Sequence, residues 1–191
     1  MVVLSPQALP DLRLTVDEYL QADLPEGHRY ELVEGIVTMS PTPGPGHDHT
    51  VNRLYQALYD FGKAHPGRFA HITSNATVPV PGKTNVREPD LALYEEWSGS
   101  AVGWQGWKTL VPIWVAEVVS PDYVSRDYRD KRHDYWSTGI REYWIVDPQE
   151  ERVTILTRGD DDWSETVVTG REDAHSKVLA GFVVPVTRLF T

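Results

Sequence analysis

Apolar residues recur along this chain at two spacings, which predict helices in some segments and strands in others. Val51, Leu54, Leu58 and Phe61 lie at helical spacing. They give one apolar face to a helix predicted over residues 47–63. Such a face has to pack against another element, so this helix is expected to cover a sheet.

Two further helices are predicted from signals at their ends. Thr15 and Glu18 have the spacing of a capping box, which predicts a short helix reaching about Ala22. Another helix is predicted over residues 127–137, where Gly139 would end it.

Strands are predicted from runs that are continuously apolar or that alternate with polar residues. These runs are RYELVEGIVTMS with a Glu-Gly turn, FAHITSNATVPVPG, DLALY, IWVAEVV, REYWIVD, RVTILTR, WSETVVT and FVVPVTRL. Residues 40–46, rich in Pro and Gly, and residues 97–109, rich in Gly, Ser and Trp, are predicted to be loops. The order of elements predicts one α/β domain over residues 1–191: a central mixed β-sheet flanked by helices, with additional C-terminal strands.

One acidic residue interrupts the most apolar run of the chain, IWVAEVV at 113–119. An unpaired buried carboxylate costs several kcal/mol, so Glu117 is expected to be paired or metal-bound. Asp90 follows Pro89 and starts the DLALY strand. If these strands are neighbours, the two carboxylates meet and suit Mg²⁺ or Mn²⁺, with the Val118 carbonyl as a further ligand. Alternatively, Asp90 caps a turn and Glu117 pairs with a core arginine.

A lysine on the following helix is a candidate partner for these acids. Asp127, Lys131 and Tyr135 lie at i, i+4 and i+8 and share one face. A lysine directed at a metal-carboxylate site orients an attacking water and stabilises charge in the transition state. The alternative is a solvated Asp-Lys helix pair that contributes a few tenths of a kcal/mol.

The first half of the chain offers further candidates. Glu31 and Glu34 flank the hairpin turn and would lie on opposite faces. His47 is expected to face inward from the long helix, as a supporting site residue or as a hydrogen-bonded core group. His49 would point elsewhere, towards Arg53.

Composition narrows the classes of function. The 191 residues are 40% hydrophobic and 24% charged and include no cysteine, which predicts a globular chain without disulfides or thiolate metal sites. The net charge of -10 argues against a protein that coats nucleic acid, although a bound metal can supply positive charge to a nuclease site. No run approaches the roughly 20 apolar residues of a membrane helix, and the N-terminus lacks a signal-peptide pattern. A cytoplasmic protein is expected.

Together these segments resemble the Uma2 family of restriction-endonuclease-like proteins. The matching segments occur in the order of the family: RYELVEGIVTMSPTP, an early helix begun by His, REPDLALY, VAEVVSPD, RDYRDKRHDYWSTGIREYWIVDP and LAGFVVPVTRLF. The spaced pattern EVVSP…D…K…Y…G…EYWIVDP is the most specific part of the resemblance.

The resemblance implies a restriction-endonuclease-like fold and a site of the PD-(D/E)xK nuclease superfamily. Asp90 then matches the Asp of PD, Glu117 the acid of the second motif, and Glu31 an acid that binds metal-bound water. The superfamily places its lysine two residues after the second acid, where this chain has Val119. Lys131 on the next helix looks like the replacement.

The implied function is a Mg²⁺- or Mn²⁺-dependent endonuclease that hydrolyses phosphodiester bonds, with DNA as the expected substrate and a homodimer as the expected assembly. Asp127 and Tyr135 would orient Lys131. An alternative is a non-catalytic nuclease-fold module that binds nucleic acid or regulates a partner. A third is a structural Glu-Lys pair in the core.

The tryptophans at 97, 104 and 107 admit two interpretations. They stack on bases, as in proteins that bind single strands, or they fill a subunit interface or cover the core.

Overall fold

The computed structural model describes residues 12–40, 43–97, 104–121 and 126–191. The helices are α1 Val16–Gln21, α2 Pro45–Ala64, α3 Trp104–Trp107, α4 Lys131–Thr138 and α5 Thr187–Phe190, with a π-helical turn Arg126–Asp130 directly before α4. The strands are β1 Arg29–Val33, β2 Ile36–Ser40, β3 His71–Thr73, β4 Val78–Pro79, β5 Val86–Arg87, β6 Leu91–Tyr94, β7 Trp114–Val118, β8 Glu142–Asp147, β9 Arg152–Arg158, β10 Trp163–Thr169, β11 Asp173–His175 and β12 Val183–Pro185.

The largest sheet has six strands in the order β10-β9-β8-β7-β6-β3. β7 and β8 run parallel and the other neighbouring pairs run antiparallel, so the expected mixed α/β sheet is confirmed. The π-helical turn and α4 form the crossover between β7 and β8. β6 and β7 are neighbours, with Leu91 opposite Ala116. This pairing meets the condition under which Asp90 and Glu117 approach one another.

A second sheet has four strands in the order β2-β1-β5-β4, and β11 pairs with β12. Leu32 on β1 lies opposite Val86 on β5. This pairing brings the hairpin next to the segment that leads into β6. The side chain of Glu31 therefore approaches the residues just before Asp90.

Alternation along β7 divides the core into two layers. Trp114, Ala116 and Val118 belong to an apolar cluster shared with α2, whereas Val115 and Val119 belong to one shared with α4. The two helices therefore cover opposite faces of the sheet, as expected. Because residues two apart on a strand share a face, Glu117 faces α4.

Several local signals proved accurate. Thr15 and Glu18 form both hydrogen bonds of the capping box. Glu34 and Gly35 turn the first hairpin with positive φ angles of 51° and 79°, the backbone that two-residue hairpins prefer. Gly139 ends α4 in the left-handed conformation, with φ 89°.

Other boundaries differ from the prediction. The segment predicted as one strand after Phe69 forms β3 and β4 in two different sheets, because the Thr73 hydroxyl accepts a hydrogen bond from the N–H of Asn75 and turns the chain. Within the predicted loop 97–109, Trp104–Trp107 is helical, while residues 98–103 lie outside the described part, as do 1–11 at the N-terminus.

The long helix and the chain end also differ from expectation. α2 begins at Pro45, earlier than predicted, because proline is accommodated in the first helical turn. The last predicted strand stops at Pro185 and continues as α5. No helix in the described ranges combines the length and apolarity needed to cross a bilayer.

A buried carboxylate connects the middle of the sheet to the C-terminal segment. Glu142 Oε1 accepts hydrogen bonds from the indole N–H groups of Trp114 (3.0 Å) and Trp144 (2.7 Å). Its Oε2 accepts from the backbone N–H groups of Lys177 (2.6 Å) and Val178 (3.2 Å). Four donors converge on one side chain with no exposed surface. Glu142 therefore joins β7, β8 and the turn before β12.

We predict that Glu142→Gln destabilises the protein by about 3 kcal/mol. An amide presents one acceptor oxygen in place of two, and each buried donor left unsatisfied costs about 1–3 kcal/mol. Urea unfolding measures the effect. Glu165→Gln, at an exposed ion pair with Arg132, is the control and should change stability by less than about 0.5 kcal/mol. Equal stability of the two variants would contradict the role given to Glu142.

Candidate functional site

Glu117 is buried on β7 and has two partners from the crossover. Its Oε1 lies 2.8 Å from Lys131 Nζ and accepts a hydrogen bond from the Tyr135 hydroxyl. The alternative partner, a core arginine, is therefore wrong for this carboxylate. Lys131 and Tyr135 lie one helical turn apart on α4, so one face of that helix supplies both contacts.

The Lys131 ammonium is surrounded by three carboxylates. Besides Glu117, it lies 3.2 Å from Asp127 Oδ1 and 3.4 Å from Glu31 Oε1. Only 2% of the side chain is exposed, so the alternative of a solvated helix pair is wrong. Burial would lower the pKa of Lys131, but the three negative charges outweigh it and raise that pKa above its usual range. The group is a buried ammonium.

Asp90 is held from three directions where β6 begins. Its Oδ2 accepts a hydrogen bond from the Val118 N–H (2.8 Å) and lies 3.2 Å from His47 Nε2. Its Oδ1 lies 2.5 Å from Arg29 Nη1. Burial would raise the pKa of Asp90, but the hydrogen bond from His47 and the charge of Arg29 hold it well below its usual range. The inward orientation predicted for His47 is thus observed.

The surroundings shift the pKa values of Glu117 and Glu31 in opposite directions. Burial raises the pKa of Glu117 to about 7, against the opposing charge of Lys131 and with the support of nearby Asp90. Burial acts in the same direction on Glu31, but Lys131 and Arg87 outweigh it and lower the pKa of Glu31 to about 2. Of these two acids, Glu117 is therefore the one whose ionised form the surroundings disfavour.

A small cavity of about 30 Å³, large enough to hold water, opens between these groups. Its lining residues are Arg29, Ser40, Pro43, His47, Glu88, Asp90, Glu117, Val118, Ser120, Arg126, Asp127 and Lys131. Asp90 and Glu117 offer hard oxygen donors, which suit a divalent cation held by one or two carboxylates together with water. Among the described residues, no three His, Asp or Glu side chains form a cluster that could hold a metal ion. These residues therefore fit Mg²⁺ only as an ion that one or two carboxylates hold together with several water molecules.

Two buried residues behind the site were not predicted. Arg87 Nη1 lies 3.1 Å from Glu31 Oε2, and Arg87 Nε donates to Asp134 Oδ2 at 2.8 Å. Asp134 lies on α4 between Lys131 and Tyr135, and it also accepts hydrogen bonds from Lys83 and Asn85. The position of Asp134 between Lys131 and Tyr135 in the sequence could have marked it as a candidate site residue. Arg87 is the first residue of REPD, directly before Glu88, but nothing in the sequence indicated which acids it would contact.

Arg29 and Glu88 were also missed. The backbone N–H of Glu88 donates to Glu31 Oε1 (3.2 Å), and the Glu88 side chain lines the cavity. Burial raises the pKa of Glu88 to about 7. Its position in REPD, two residues before Asp90, was a signal in the sequence.

Three other predicted positions lie away from the cavity. Val119, which stands where a lysine was expected, is buried in the cluster beside α4. His49 points away from the site, as predicted, with Nε2 3.3 Å from Arg53 Nε. Trp97 is 41% exposed and stacks on His71. Base stacking and a subunit interface both stay predictions for the tryptophans.

Comparisons with known proteins agree with this architecture. One solved structure aligns with 93% of this chain and 97% of its own at a TM-score of 0.74 and 18% identity. It is described as a putative nuclease belonging to DUF820 from Anabaena variabilis. At this identity the likeness concerns the fold alone, and it confirms the expected mixed α/β fold.

A search among curated proteins found no match. The profile of the Uma2 family, described as "Putative restriction endonuclease", matches residues 16–187. This match spans almost all of the sequence and includes every predicted site residue. The chain belongs to the Uma2 family.

Proposed function

We propose that this protein is a metal-dependent endonuclease that hydrolyses phosphodiester bonds in DNA. The observation that carries the proposal is the 2.8 Å contact between Lys131 Nζ and Glu117 Oε1. Through this contact Lys131 brings an ammonium to Asp90 and Glu117, in place of the lysine that the superfamily carries at the position of Val119. The homodimer implied by the family resemblance is part of the same proposal.

Asp90 and Glu117 would hold Mg²⁺, with the Val118 carbonyl as a further ligand. When bound, the ion supplies Lewis-acid stabilisation of phosphoryl oxygens and a more acidic water. Lys131 provides a fixed positive charge near the attacked phosphorus, and such a preorganised charge stabilises the transition state more strongly than water does. Tyr135 and the Val118 N–H fix the orientations of Glu117 and Asp90. Glu31 and Asp127 hold the Lys131 ammonium in place.

A second function, a nuclease-fold module without turnover, is favoured by one observation. Both oxygens of Asp90 already have cationic or N–H partners, namely Arg29, His47 and the Val118 N–H. A cation at Asp90 has to displace or share these contacts. Such a module would bind nucleic acid without holding a divalent ion.

We predict that Asp90→Asn, Glu117→Gln and Lys131→Ala each lower the rate of DNA cleavage by about 10²–10³-fold, because each removes a preorganised charge. Supercoiled plasmid with Mg²⁺ or Mn²⁺ is the substrate, and nicked and linear products are measured. Lys63→Ala, at an exposed lysine near the end of α2, is the matched control and should cleave normally. Equal inertness of the wild type and all variants on DNA and RNA would refute catalysis at this site.

We predict that the wild type binds Mn²⁺ in calorimetric titration and that Glu117→Gln weakens binding by at least about tenfold. The amide removes the negative charge from one of the two side-chain donors. Retained affinity in Glu117→Gln would favour a purely structural Glu-Lys pair. Absence of Mn²⁺ binding by the wild type would favour the non-catalytic module.

Asp134 is expected to act as a positioning residue for α4. It receives hydrogen bonds from Lys83 (2.7 Å) and Arg87 (2.8 Å), on and next to β5. Burial would raise the pKa of Asp134, but these partners lower it below its usual value. A carboxylate with a lowered folded-state pKa stabilises the fold above its unfolded pKa of about 3.9. That stabilisation is lost as the pH falls through the lower folded-state value.

We predict that Asp134→Asn lowers the free energy of unfolding by about 3 kcal/mol at pH 7, because it leaves Arg87 with one buried counterion in place of two. The difference from the wild type should shrink below about pH 4. Urea unfolding at pH 7, 4 and 3 measures both effects. A difference that does not depend on pH would exclude the ion pair as its source. The kcat for DNA should fall while KM changes little, because the substituted residue lies behind the cavity.

A further inference from the structure

We propose that Arg29 is a phosphate-binding residue, whose guanidinium contacts a phosphodiester oxygen of the nucleic acid at the mouth of the cavity. This inference rests on the proposed function, because it takes that substrate as its ligand. It assigns the first contact of the substrate to a residue on β1, outside the candidate catalytic group.

Exposure separates Arg29 from the other cations of the cavity. Its side chain is 33% exposed, compared with 19% for Arg126 and 2% for Lys131. The Lys131 ammonium is also surrounded by three carboxylates. Of the three, Arg29 is therefore the side chain that an incoming anion reaches most easily.

The guanidinium of Arg29 is held in place by groups other than a catalytic side chain. Its Nη2 donates to the carbonyl oxygens of Glu88 (2.6 Å) and Pro89 (3.1 Å). These bonds persist if Asp90 turns towards a cation. A guanidinium that is already oriented loses little conformational freedom on binding, and its planar donors match phosphate oxygens.

Arg29 also has donors to spare. Arginine carries five N–H groups, and within the described part of the chain three hydrogen bonds engage this side chain, to Asp90 and to two carbonyls. Two N–H groups remain, and Nε has no hydrogen-bond partner among the described residues. The side chain can therefore bind a phosphate oxygen without first giving up its anchors.

The charge of the whole chain makes a local cation necessary. With a net charge of -10, long-range attraction does not draw nucleic acid to this protein. Binding then depends on a few correctly placed positive groups. Removal of one such group should be measurable against this background.

The competing explanation is that Arg29 serves only to hold Asp90, through the contact of 2.5 Å. The two explanations make different predictions. A residue that only holds Asp90 affects the geometry of the proposed cation site and leaves the ionic component of DNA binding unchanged. A phosphate-binding residue contributes directly to the salt dependence of DNA binding.

The test measures binding of a fluorescein-labelled 12-bp DNA duplex by anisotropy in EDTA, over a series of salt concentrations. We expect Arg29→Gln to bind about tenfold more weakly, since a hydrogen bond to a charged group is lost. The slope of log K against log salt should fall by about 0.9, the value for one phosphate contact. Arg29→Lys should keep most of the slope, because it keeps the charge.

Arg132→Gln is the matched control. Arg132 is 30% exposed and pairs with a carboxylate, as Arg29 does, but it lies outside the cavity lining. Its affinity and salt slope should equal those of the wild type. An unchanged slope in Arg29→Gln, or a wild type that does not bind the duplex, overturns the inference.

A second measurement uses the unaltered protein, so that it does not depend on the folding of a variant. Phenylglyoxal modifies accessible arginines, and mass spectrometry of peptides locates the modified positions. We expect the duplex to protect Arg29 from modification and to leave Arg132 reactive. Equal reactivity of Arg29 with and without the duplex overturns the inference.

Separate readouts distinguish failure of this inference from failure of the proposed function. If the wild type cleaves plasmid but Arg29→Gln binds the duplex normally, Arg29 is not a phosphate contact and the endonuclease proposal stands. If the wild type does not cleave but binds the duplex through Arg29, then Arg29 is a phosphate contact of a protein that binds nucleic acid without cleaving it. Mn²⁺ affinity should be equal or higher in Arg29→Gln, because a positive charge next to Asp90 is removed. Weaker Mn²⁺ binding with an unchanged salt slope supports the structural role.

Discussion

The buried Lys131 ammonium is the group on which the arrangement of the site depends. A buried charge is tolerated only when other charges compensate it, and Lys131 has three carboxylates within 3.4 Å. Three acids around one cation leave an excess of negative charge, which needs partners of its own. Arg87 and Arg126 both approach Glu31, one of these three acids. Compensation of one buried lysine therefore extends well beyond α4.

The four-stranded sheet supplies charged partners for the groups around Lys131. β1 carries Arg29 and Glu31, and β5 carries Arg87, so the sheet brings both signs of charge to the edge of the six-stranded sheet. Asp134 completes the connection, because it joins Arg87 to the helix that carries Lys131. The two sheets and α4 are thus fixed to one another partly by paired charges. Such pairs add little net stability when complete, but they are costly to break.

Local patterns predicted the parts of this arrangement that lie within single elements. The apolar run around Glu117 indicated a buried carboxylate, and the i, i+4 spacing on α4 indicated that Lys131 and Tyr135 share one face. Asp90 was a candidate from its place at the start of a predicted strand, and the resemblance to a family selected Glu31 from the acids of the first hairpin. Patterns could not predict Arg87, whose contacts with Glu31 and Asp134 span 56 and 47 residues of sequence. The contact with Glu31 depends on the pairing of β1 with β5, and the contact with Asp134 depends on where α4 lies against the four-stranded sheet. Neither periodicity nor composition encodes these placements.

Val119 illustrates the structural consequence of a lysine that lies on a helix and not on the strand. A lysine two residues after Glu117 would be held by the ladder of the central sheet, whereas this position packs into the apolar cluster beside α4. The ammonium of Lys131 then depends on where α4 lies, and α4 is held by Asp134 and by the packing of Tyr135 against Tyr143. A small shift of the helix moves Lys131 and Tyr135 together relative to Glu117. The geometry of the proposed site is therefore set by contacts on its far side, which makes the Arg87–Asp134 pair as important to it as the residues that line the cavity.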